Sequence, residues 1–64
     1  MLPHQERVVE EKQELDGKIE RLQKFIGGND IFPALSEDIQ GQFHQQLEFM
    51  QGYSEILGTR ISQF

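Results

Sequence analysis

Sixty-four residues make one small domain, and a core of that size rarely supplies more than about 3 to 5 kcal/mol, so something further has to complete the fold. Cysteine is absent, which excludes disulfides, and His4 and His44 have no acidic or thiol partners at metal-ligand spacing, so no metal site is expected. The formal charge of −5 argues against general DNA or RNA binding, and no apolar run approaches a membrane span, so the chain reads as soluble, intracellular and in need of self-association.

The first segment reads as a helix over about 4–26, with Pro3 near its first turn, where a missing N–H costs nothing. Val8, Leu15 and Leu22 fall at d positions of a heptad, and Lys12, Ile19 and Ile26 at a, giving a narrow seam with one basic interruption. Glu14 with Lys18 and Glu20 with Lys24 are correctly oriented i,i+4 pairs, while Arg21 and Lys24 suit the negative end of the helix dipole. Asp16 and Gly17 weaken the middle and are placed off the seam.

Residues 27–36 form the connector. Gly27, Gly28, Asn29 and Asp30 supply residues that tolerate a left-handed helix cap, and Ile31, Phe32, Pro33, Ala34 and Leu35 make an apolar link. Phe32 and Leu35 are expected to plug the closed end of a hairpin. Ser36 is a good N-cap, followed by Glu37 and Asp38 at the positive end of the next helix, which runs over about 37–63. The two helices match in length, as antiparallel neighbours should.

Their apolar faces do not match. At about 100° per residue, Val8, Leu15, Ile19, Leu22 and Ile26 span about 60°, with only Val9 and Phe25 outside. In the second helix Ile39, Phe43, Leu47, Met50, Tyr53, Leu57, Ile61 and Phe64 form one face, which Phe49 and Ile56 widen to about 180°. One narrow partner cannot cover so wide a face. The predicted fold is all-α, a two-helix antiparallel hairpin that completes its core by self-association, most simply as a dimeric four-helix bundle. Its expected interface comprises Phe43, Leu47, Phe49, Met50, Ile56, Leu57, Ile61 and Phe64, and trimers and hexamers of hairpins stay open.

Folding the helices together pairs Leu22 with Phe43, Leu15 with Met50 and Val8 with Leu57, and sets Lys12 opposite Tyr53. Arg7, His4 and Arg60 then gather at the open end, a locally basic group in an acidic protein. Arg7, Lys12, Tyr53 and Arg60 are the candidate ligand-binding residues: the cations suit phosphate or carboxylate, and the phenol suits stacking or hydrogen bonding. The plainer reading is that Lys12 snorkels outward and the arginines pair with Glu6, Glu10, Glu11 or Glu55. Gly58, beside the apolar arc, suits close approach by another helix or a ligand as well as it suits a tolerated surface position. Gly41 and Gly52 read as surface sequence.

No P-loop, dinucleotide fingerprint, nucleophile elbow, metalloprotease motif or cysteine nucleophile is present, so neither catalysis nor a cofactor is expected. The carboxylates of the first helix read as its wet face.

The chain resembles a family of short helical proteins of tailed phages, related to a crAss-like phage protein. The resemblance rests on Arg7-Val8-Val9-Glu10-Glu11 leading to Leu15, Lys18, Leu22 and Phe25-Ile26, and on Gln46, Met50, Tyr53, Ile56-Leu57 and Arg60-Ile61. It implies a phage accessory protein acting in the host cytoplasm, of a class whose members often act on host enzymes or immune systems. The expectation is a non-enzymatic protein that binds and inhibits or sequesters a component of host antiviral defence. Its partner is either a host defence protein, met through anchors such as Phe49 and Phe64, or a small anionic nucleotide second messenger held by an oligomeric sponge at the basic open ends. A small structural or assembly factor of the virion is the third reading.

Overall fold

A computed structural model of the chain, describing every residue except Asn29, contains helices only among the described residues. Helix α1 spans Pro3–Gly27, a single turn α2 spans Ile31–Ala34, and α3 spans Glu37–Ser62. Helices α1 and α3 lie antiparallel in a rod of 46 × 16 × 13 Å. The all-α hairpin expected from the apolar periodicities is therefore the fold of the chain. The expected cap at Asn29 lies outside the described residues.

Local chemistry sets the helix ends. Pro3 opens α1, and the Leu2 backbone N–H donates to Gln5 Oε1 at 2.9 Å. At the far end, Gly28 donates its N–H to the Lys24 carbonyl at 2.9 Å, with φ −129° and ψ 21°. No described residue has a positive φ, so the left-handed cap expected of Gly27 and Gly28 does not form. What favours glycine at position 28 is space, because a Cβ there would stand 3.2 Å from the Lys24 carbonyl oxygen. Ser36 caps α3 as expected, its Oγ accepting from the Ile39 N–H at 3.3 Å. Gln40 ties α2 to α3, donating from Nε2 to the Leu35 carbonyl at 2.9 Å and the Pro33 carbonyl at 3.3 Å.

The connector is more ordered than an apolar link. Its turn α2 carries Phe32 inward to 6% exposure, where its ring meets Phe25 and Phe43 edge-on at centroid distances of 6.0 and 6.3 Å. Phe25 and Phe43 are themselves 5.4 Å apart, and the His44 ring stands against Phe32 at 5.5 Å. Phe25 thus leaves the solvent-side position its angle on α1 suggests. Edge-to-face rings contribute beyond the area they bury, and they close this end of the hairpin.

Toward the open end the core is thin. Val8, Leu15 and Ile19 of α1 form one core cluster with Leu57 of α3, which is fully buried, and Leu47, Met50 and Ile61 pack partly against it. The α1 seam behaves as its heptad predicts: Val8, Leu15 and Ile19 are buried, and Leu22 and Ile26 half-buried.

Candidate functional site: the outer face of the second long helix

Where α1 ends its coverage, α3 remains bare. Phe49, Ile56 and Tyr53 are 68%, 61% and 43% exposed, and Phe64 and Ile39 are exposed with them. Gln42, Gln45, Gln46, Phe49, Met50 and Tyr53 line an open groove of about 420 Å³. A second depression on the adjoining side adds Glu48, Glu55 and Ile56 to Phe49 and Tyr53. The first groove offers two aromatic faces beside three amides, and an amide both donates and accepts hydrogen bonds. Aromatic faces of this kind accept flat ligands by stacking.

The interface residues predicted from sequence divide in two. Leu57 is spent inside the hairpin, Leu47, Met50 and Ile61 lean on that core, and Phe43 belongs to the aromatic plug. Phe49, Ile56 and Phe64 stay on the surface.

The four ligand candidates divide as well. Lys12 does not face Tyr53. Its Nζ donates to Ser54 Oγ at 3.0 Å and to Asp16 Oδ2 at 2.8 Å, and the Ser54 hydroxyl donates to Asp16 Oδ1. Asp16, expected off the seam, is therefore part of the α1–α3 contact, and with it comes the buried Ser54. These hydrogen bonds, from Lys12 first and Ser54 second, hold the Asp16 carboxyl below its ordinary pKa. The cluster is a polar rivet across the hairpin. Gly58 fits the same contact, since a Cβ there would stand 3.4 Å from Lys12 Cε, so the close approach suspected at Gly58 is made by α1 itself. Serine carries no signal in a search for charges or apolar residues, and only the register of the two helices identifies Ser54.

Tyr53 lies in the groove beside Phe49, and Arg60 follows two turns along α3, exposed. Arg7 is exposed near the start of α1, at the same end of the hairpin. The structure thus separates one structural cation, Lys12, from two solvent-facing ones. Of the surface pairs expected on α1, Glu20 with Lys24 forms at 3.0 Å. Among the described residues no group of His, Cys, Asp or Glu is arranged to hold a metal ion, and no helix is long and apolar enough to cross a membrane.

Fold and face together define a small helical-hairpin protein with an uncovered aromatic and amide surface. The chain belongs to the Sequestin family, whose model matches residues 2–63. The family name points to sequestration and specifies no target. Neither the curated proteins nor the solved structures contain a match to this chain.

Proposed function

We propose that this chain is a non-enzymatic phage accessory protein that works in the host cytoplasm by sequestering a nucleotide second messenger of antiviral defence. The observation that carries the reading is the groove of Gln42, Gln45, Gln46, Phe49, Met50 and Tyr53 on a chain of the Sequestin family. Tyr53 and Phe49 offer stacking surfaces to a base, and the glutamine amides offer donors and acceptors to its edge. Arg60 on the same side of α3 and Arg7 at the same end supply charge for phosphates. Lys12 has no part in this version, because Asp16 and Ser54 occupy its ammonium group.

Sequestration needs no bond to break, so the ligand should return intact. Calorimetric titration of the purified chain with a panel of cyclic and linear nucleotides is expected to find a saturable ligand, recoverable unchanged after heat denaturation. Tyr53→Ala is expected to weaken binding about tenfold or more, the worth of one stacking contact. Hydrolysed nucleotide would contradict the non-enzymatic reading, and no binding across the panel would contradict the ligand class. Glu48 and Glu55 beside the same apolar stripe favour a second reading, direct docking on a basic surface of a host defence protein. Co-purification from infected cells of a stoichiometric protein rather than a nucleotide would establish it.

A further inference from the structure

The outer stripe of α3 has a symmetry that the hairpin does not use. At about 100° per residue, Asp38, Gln42, Ile56 and Arg60 all fall within about 20° of Phe49 around the helix. Asp38 lies eleven residues before Phe49 and Arg60 eleven after it, while Gln42 and Ile56 lie seven to either side. All five are exposed, and neither Asp38 nor Arg60 enters an ion pair within the hairpin among the described residues. Arg60 is the only lysine or arginine after Lys24. Glu37, Glu48 and Glu55 sit about 100° or more from the line through Phe49, so Asp38 is the one carboxylate of α3 on the stripe.

We propose that two copies of this chain pair α3 against α3, antiparallel, about a twofold axis through Phe49. A twofold contact requires that each residue meet its counterpart reciprocally. Reversal about Phe49 sets Arg60 of each copy against Asp38 of the other, Ile56 against Gln42, and Phe49 against itself. Centring the pair on Tyr53 or Ile56 sets Arg60 against Gln46 or Gly52 instead, and the cation gains no carboxylate. Charge complementarity therefore selects both the occupant and its register.

Gly52 supports the same crossing. A Cβ at Gly52 would meet nothing within 4 Å, so the hairpin gives no steric reason for glycine one turn from Phe49, whereas a second helix approaching closely does. Tyr53 of one copy comes level with Gln45 of the other, so pairing covers Phe49 and leaves Tyr53 and the amides at the edge of the seam as the surface open to a ligand. A guanidinium carries five donors, and two spent on Asp38 leave others for a ligand. The pairing itself stands whatever the ligand is.

Sedimentation equilibrium of the full chain and its charge variants tests the register. The wild type is expected to be a dimer at micromolar concentration. Asp38→Arg and Arg60→Asp are each expected to weaken it about tenfold, since each loses two symmetry-related pairs and gains like-charge contacts. The double variant restores both pairs in reversed polarity and should return to near wild-type affinity, while Glu48→Arg should not follow this pattern. Phe49→Cys, in a chain without cysteine, should oxidise readily to a covalent dimer. A monomeric wild type, an assembly of three or more copies, or a double variant no better than the single ones would overturn the pairing. Nucleotide titration of the same samples keeps the readings apart, because a dimer that binds no nucleotide overturns the ligand and leaves the interface.

Discussion

Leu57 and Ile56 are neighbours in sequence and similar in hydrophobicity, yet Leu57 has no exposed surface and Ile56 is 61% exposed. The difference is angular. Leu57 points at the Val8, Leu15 and Ile19 seam of α1, whereas Ile56 lies a step of about 100° round the helix, beyond the reach of a partner only one helix wide. The inner side of α3 is a core and the outer side a surface of the same character with nothing yet against it. Exposed apolar area of that kind on a small protein marks a contact surface.

Substitutions at matched positions sharpen the contrast. Leu57→Ala is expected to cost about 4 kcal/mol, enough to unfold most of a chain with so small a core, and loss of far-ultraviolet helix signal measures it. Ile56→Ala should leave the hairpin's own stability nearly unchanged and act on assembly instead. An equal loss of helix in both variants would abolish the distinction between the two sides.

The closed end provides the next test. Phe32→Ala empties the centre of the Phe25, Phe32 and Phe43 cluster and is expected to cost about 3 kcal/mol in thermal or urea denaturation. A negligible change would mean that α2 is an ornament rather than a plug.

The polar rivet responds to pH with a definite sign. The Asp16 carboxyl titrates below its ordinary value when folded, so its contribution is complete above about pH 4 and is lost as pH falls through the folded value. Asp16→Asn should therefore be less stable than wild type near neutrality, with the gap closing in acid. Because the Asp16 side chain is 48% exposed, salt should narrow the gap too. A gap independent of pH would show that packing, not ionisation, sets the role of Asp16.

Gly41→Ala is the smallest effect. A Cβ at position 41 meets nothing within 4 Å, so the change should stabilise α3 by about 0.5 to 1 kcal/mol through helix propensity alone. The same change at Gly52 should stabilise the hairpin similarly while hindering close approach of a second copy, a split that denaturation and sedimentation together resolve.

Much of this architecture was legible in the residues. The helices, the Ser36 cap, the plug by Phe32 and the excess apolar arc of α3 follow from periodicity and capping chemistry, which are local. What periodicity could not supply was register. The displacement that brings Lys12 to Ser54 rather than Tyr53, and draws Asp16 into the contact, is a relation between the two helices that neither helix's own pattern contains. The left-handed cap does not form for a related reason: the chain leaves α1 through a Gly28 of negative φ that needs room beside the Lys24 carbonyl rather than a reversed φ. At the site, Tyr53 and Arg60 are visible as types on one side of α3, but nothing in the apolar period singles out the glutamines beside Phe49, which only the groove brings to a common wall.

The central claim is that the outer side of α3 is covered by a second copy of the chain, and the mass of the protein in dilute solution tests it most directly. Sedimentation at micromolar concentration is expected to give two copies for the wild type and one for Phe49→Glu, with the helix content of both unchanged. A wild-type chain that sediments as a well-folded monomer, indistinguishable from Phe49→Glu, would contradict it.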